Sequence, residues 1–220
     1  MTIEDNLIRI RSSLPVDNKL IAVSKTKSNE AILEAYGTGQ RLFGENKVQE
    51  LLHKWETLPK DIEWHFIGHL QSNKVRYISS FIAMIHSVDS FKILKSINDE
   101  AKRVDRIIPV LLQIYIATEE TKFGFSAEEA FQMLHSSEMM DLKNVRLCGV
   151  MGMATYTDDE ELINNEFSNL QSIFQKLKEC FFKGNDHFCE ISMGMSNDYH
   201  LAIKNGSTMV RVGSHIFGER

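Results

Sequence analysis

The sequence predicts an α/β fold: a single-domain parallel (β/α)8 barrel with one extra N-terminal helix. Three observations predict it. Short apolar runs alternate with segments whose apolar residues recur at helical spacing, about eight times along the chain. Apolar runs joined by amphipathic helices imply parallel strands with helices outside. No G-x-G-x-x-G turn follows the first run, which disfavours the competing fold, an open doubly wound sheet. At 220 residues, 43% hydrophobic and 25% charged, the chain is compact for such a barrel but suits one domain over 1–220.

Each element has its own signal. Ile3, Leu7, Ile10 and Leu14 set the leading helix, and residues 20–24 form the first strand. Ala31, Ile32, Ala35 and Tyr36 share a helical face that stops at Gly37 and Gly39. Residues 41–44 are strand two, and Val48, Leu51, Leu52, Trp55 and Leu58 stripe the next helix. Strand three is 63–68, a short helix covers 73–79, and strand four is 82–86. Phe91, Leu94, Ile97, Ala101 and Val104 mark a helix before strand five at 107–116. Ser126 with Glu129, and Thr157 with Glu160, read as capping boxes opening two more helices. Strands six, seven and eight fall at 145–151, 188–193 and 209–212, with a helix over 196–205.

Composition excludes several classes. A net charge of −5 with no strongly basic segment argues against a nucleic-acid-gripping protein. Residues 1–14 carry no apolar signal core, and no apolar run approaches the ~18 residues of a membrane span. Three cysteines, an odd number without C-x-x-C spacing, read as buried reduced thiols. The expectation is a cytoplasmic monomer with no nucleic-acid or membrane partner.

A barrel places its active site at the C-terminal ends of its strands. Lys25 follows Ile21-Ala22-Val23, where desolvation favours a neutral amine and Schiff-base chemistry. After strands seven and eight, Gly194, Ser196, Gly213 and Ser214 suit a phosphate, with Ser196 also expected to cap the next helix. Arg211, inside strand eight, needs an acceptor such as a ligand ring nitrogen or an acidic side chain. His65 and His69 lie on a strand without a carboxylate or cysteine cluster, so a metal site is not expected. His187, His200 and His215 read as surface groups, and Met151, Met153, Met193 and Met195 as core filler.

Four stretches carry a resemblance: Ala22-Val-Ser-Lys-Thr-Lys27; Phe43-Gly-Glu-Asn46 with Gln49-Glu50; Trp64-His-Phe-Ile-Gly-His-Leu-Gln-Ser-Asn-Lys74; and Ser192-Met-Gly-Met-Ser196 through Arg211-Val-Gly213 to Ile216-Phe-Gly218. In order, over nearly the whole chain, they resemble the pyridoxal phosphate homeostasis protein family. The resemblance implies the barrel of the alanine racemase N-terminal domain, with pyridoxal 5′-phosphate (PLP) as cofactor. It implies Lys25 as the Schiff-base lysine, holding PLP as an internal aldimine. By the same resemblance Ser196, Gly213 and Ser214 match the family's phosphate positions, Arg211 matches its arginine facing the pyridine nitrogen, and Asn46 matches a polar residue near the cofactor. Met153, and after it Ser87 and Ser192, would line the pocket. Tyr115 stands where the family commonly has Asn, and His215 replaces a small residue; the stretch Glu119-Glu120-Thr121-Lys122-Phe123-Gly124 keeps the family's Glu, Lys and Gly.

The implied function is storage, buffering or delivery of PLP, with PLP-dependent apoenzymes as partners. A protonated arginine at the ring nitrogen weakens the electron sink, and the chain has no room for the second domain with which racemases supply an acid/base tyrosine. No committed catalysis is therefore expected. The alternatives are a weak amino-acid racemase or a cofactor-free class I aldolase on Lys25.

Overall fold

The computed structural model describes residues 2–118 and 123–219. Eight parallel strands close into a barrel in chain order: β1 Lys19–Val23, β2 Leu42–Glu45, β3 Glu63–Phe66, β4 Met84–Val88, β5 Ile108–Gln113, β6 Val145–Met151, β7 Glu190–Ser192 and β8 Met209–Val212. β1 closes on β8, with Lys19 opposite Met209 and Ala22 opposite Val212. Helices α1 Ile3–Ser13, α2 Asn29–Gly37, α3 Val48–Thr57, α4 Phe91–Arg103, α5 Ala127–His135, α6 Glu160–Phe181, α7 Tyr199–Lys204 and α8 Ser214–Phe217 complete the fold. The extra helix α1 packs against α2 and α8. Among the described residues no helix is long and apolar enough to cross a membrane.

Strand side chains alternate between two faces. Val110, Leu112, Val210 and Val212 join the large core shared with the helices, whereas Leu111 and Met209 join a small separate cluster with Cys148 and Met151. The small cluster therefore lies inside the barrel. Four buried polar residues, His65, His86, Ser192 and Arg211, form a hydrogen-bonded chain.

Several boundaries depart from expectation. β4 runs through Val88, so His86 and Ser87 lie within the strand and are buried rather than at its open end. β5 stops at Gln113, not 116, because the Tyr115 N–H turns to donate to Phe125 O at 2.9 Å. Ile114 and Ile116 still fill the outer core, so apolarity alone hid the strand end. The helix expected at 73–79 is a 3-10 turn, Ser72–Tyr77, and an unexpected one covers Ser137–Asp141. Ser126 and Glu129 form their capping box. Thr157 does not: Asp159 caps α6 by accepting from Glu161 N and Leu162 N, while Thr157 Oγ1 accepts from Asp159 N. Of the cysteines only Cys148 is buried; Cys180 and Cys189 are exposed.

Candidate functional site

The strand ends enclose a cavity of about 440 Å³. Lys25 and Asn46 reach it just beyond β1 and β2, and Met153 just beyond β6. Ser196 comes from the loop after β7, Arg211 from β8, and Gly213 and Ser214 from the turn that follows. Lys25, Asn46, Met153, Ser196, Arg211, Gly213 and Ser214 thus line one cavity, although Met153 is 42% exposed and sits at its rim; Gly194 shapes the loop without lining it. His187, His200 and His215 are exposed, as expected. Met151 and Met193 are core, whereas Met153 and Met195 line the cavity.

Local geometry explains the gathering. Ser24 N–H donates to Gly44 O (3.1 Å), extending the β1–β2 ladder, so Lys25 is the first residue to leave it. Gly68 packs on the chain at Asn46, where a Cβ would stand 2.3 Å from Asn46 O, so only glycine permits this approach. Gly194 adopts φ +94°, and a Cβ there would fall 2.6 Å from Ala202 Cβ. The turn it allows carries Ser196 to the cavity, and the buried Asp198 carboxylate accepts from Met195 N to hold that turn. Gly213 N–H then donates to Ser196 Oγ (3.2 Å), stitching the two loops into one cradle. This hydroxyl was expected to cap a helix; α7 instead begins at Tyr199, with Asp198 at its N-cap.

Arg211 finds acceptors that sequence reading did not foresee. Its Nη1 donates to Ser192 O (2.8 Å) and Ser192 Oγ (2.6 Å), and Nη2 donates to Gly152 O (2.9 Å). Carbonyls and a hydroxyl, not an acidic side chain, hold the guanidinium. Burial lowers its pKa to about 10, with Asp198 opposing, so it stays protonated at neutral pH. Ser192 Oγ continues to His86 Nδ1 (2.9 Å), and His86 Nε2 to His65 Nδ1 (2.8 Å). A neutral imidazole offers one donor and one acceptor, which matches this one-way chain. Burial keeps both rings neutral, pulling His65 to about 3 and His86 well below its ordinary value.

Ser87 and Ser192 do not line the cavity as expected; both are buried behind its wall. Ser87 Oγ is spent on Gly68 O, and Ser192 supports Arg211. Sequence reading passed over Gln113 and Phe123 as lining residues and weighed His69, which also lines the cavity, only as a metal ligand. Gln113 Nε2 donates to Phe123 O (3.0 Å), and its polarity inside an apolar run was the available signal. His69 Nδ1 meets Asp89 Oδ2 (2.9 Å) over the Phe123 ring. Tyr115 borders a neighbouring cleft beside Phe123, and Glu119 to Lys122 lie outside the described residues.

The closed barrel and the cavity at the C-terminal ends of its strands define a (β/α)8 protein that takes a small molecule there. The family model of the alanine racemase N-terminal domain matches residues 1–220. A pyridoxal phosphate homeostasis protein of Vibrio alginolyticus is 38% identical, covering 100% of this chain and 98% of its own. One of Synechocystis is also 38% identical, covering 96% and 95%. The Synechococcus elongatus protein PipY, solved with PLP bound, superposes with a TM-score of 0.88 at 34% identity, covering 99% of this chain and 100% of that one. The chain belongs to the pyridoxal phosphate homeostasis protein family, built on the alanine racemase N-terminal domain.

Proposed function

We propose that this chain binds PLP at the barrel mouth and serves its intracellular storage, buffering or delivery to PLP-dependent apoenzymes, without committed catalysis. The observation that carries the reading is one cavity of about 440 Å³ lined by an amine, a guanidinium and a hydroxyl-and-glycine cradle. PLP is a small phosphate-bearing aldehyde, and these groups fit its three ends. The group supplies an electrophilic aldehyde and an electron-accepting ring. Lys25 is the amine for the aldehyde. Ser196, Gly213 and Ser214 hold the phosphate by hydroxyl and main-chain contacts. Asn46 and Met153 bound the ring edge and rim.

Arg211 carries the catalytic argument. A protonated guanidinium donates, so a ring nitrogen facing it accepts and stays unprotonated, and carbanion chemistry is weakened. The relatives' names, homeostasis proteins rather than enzymes, agree with that. The three free thiols, two of them exposed, fit a reducing cytoplasm. We read the chain as a monomer.

The test is spectroscopic. Purified protein with PLP should show an absorbance band that borohydride removes, with the label on Lys25 by peptide mass spectrometry. Lys25→Ala should lose both. A Lys25→Ala variant that borohydride still labels fully would remove Lys25 from the site, and a wild type that stays colourless with PLP would favour the aldolase alternative.

A further inference from the structure

Lys54 lies in α3 and is buried, 3% exposed, although nothing in its sequence context marks it. All three ammonium protons are used. Nζ donates to Ser24 O (2.8 Å), Glu45 Oε1 (2.8 Å) and Glu50 Oε1 (2.7 Å). Glu45 Oε1 also accepts from Ser24 Oγ (2.6 Å), and Glu50 Oε1 from Thr26 N–H (2.5 Å). The residues immediately before and after Lys25 are therefore tied to one buried ammonium.

Thr26 is the more telling end. It sits at φ +65°, in the left-handed region that a β-branched residue rarely enters. Such a conformation persists only where surrounding contacts over-determine it, and the Glu50 carboxylate on Thr26 N–H is that contact. Burial raises the Glu45 pKa, while Lys54 and Ser24 work against the rise. Buried ion pairs add little net stability over apolar packing. This one spends its bonds on the main chain flanking a single cavity-lining amine.

We propose that Lys54, with Glu45 and Glu50, is a positioning device for Lys25: it fixes where the chain leaves β1 and so where the Lys25 amine meets its carbonyl partner. This rests on the cofactor reading above. The device does not touch the cradle at Ser196 and Gly213, so it bears on covalent capture and not on phosphate recognition.

The experiment separates those two. Wild type, Lys54→Met and Glu50→Met are compared as full chains. Capture of PLP is read by borohydride fixation and mass spectrometry at Lys25. Non-covalent binding is read by calorimetry with pyridoxine 5′-phosphate, which lacks the aldehyde. Hydrogen exchange at the Thr26 amide is followed without ligand. A misplacement of the amine by about 1 Å should slow capture on the order of tenfold to a hundredfold in both variants. Pyridoxine 5′-phosphate binding should stay unchanged, and Thr26 exchange should accelerate. Glu50 is partly exposed and leaves the Lys54–Glu45 pair intact, so Glu50→Met decides the matter if Lys54→Met does not fold. Unchanged capture in the folded variants, or a parallel loss of pyridoxine 5′-phosphate binding, would overturn the proposal alone. A wild type that borohydride cannot fix at Lys25 would overturn the cofactor reading and this inference with it.

Discussion

Lowering the pH from 7.5 to 5 should destabilise the fold chiefly through His65 and His86. Burial, and then the charge of Lys19, pulls His65 to about 3. Burial, then His65 and Arg211, pulls His86 well below its ordinary value. In the unfolded chain both titrate near the ordinary histidine value of about 6.5. Above that pH both states are neutral and the full stability is present. Below it the unfolded chain gains two protons that the folded chain cannot accept, so stability is lost as pH falls toward the folded pKa values. Each histidine contributes about 1.4 kcal/mol per pH unit, so by pH 5 the pair removes roughly 4 kcal/mol from a typical total of about 5–15 kcal/mol. Glu45 works the other way: its raised pKa lets the folded state take up a proton first, which offsets at most one of the two. The expected slope is therefore about 1.4–2.7 kcal/mol per pH unit between 6 and 5. Urea unfolding at half-unit steps of pH measures it. His86→Gln should reduce the slope by about one proton's worth. Stability that stays flat or rises as pH falls through this window would refute the assignment of two neutral buried imidazoles.

Three further outcomes follow from the site. Gly68→Ala places a Cβ 2.3 Å from Asn46 O and should cost about 1–3 kcal/mol or more while displacing Asn46; unchanged denaturant stability would contradict that packing. Ser196→Asp puts a carboxylate in the cradle and should weaken PLP on the order of a hundredfold, with pyridoxal hardly affected; equal losses in parallel titrations would remove the phosphate assignment. Arg211→Glu lets a facing ring nitrogen be protonated, so deuterium washout from L-alanine, followed by NMR, should rise slightly above a negligible wild-type rate. Wild-type exchange at ordinary enzyme rates, about 10 per second, would falsify the non-catalytic reading.

The barrel was legible in the sequence because burial leaves a periodic trace. Apolar runs and helical stripes recur whichever partners they meet, and β1, β2, β6 and β8 fall where those runs lie. Lys25, Ser196, Gly213 and Ser214 were legible as well, since a barrel puts chemistry at its strand ends and glycines flag close approaches. Strand ends inside apolar runs were not: the ends of β5 and β4 were misplaced by three and two residues, so Gln113 read as mid-strand rather than as the last, cavity-lining residue of β5, and the interior His86 read as a rim residue. Tertiary closure alone decided who meets whom. His86 touches Ser192 across 106 positions, and Lys54 reaches Ser24 across 30. Such pairs have no local signature, because a buried polar group is satisfied by whatever the fold brings within about 3 Å, and only the closed barrel sets that distance.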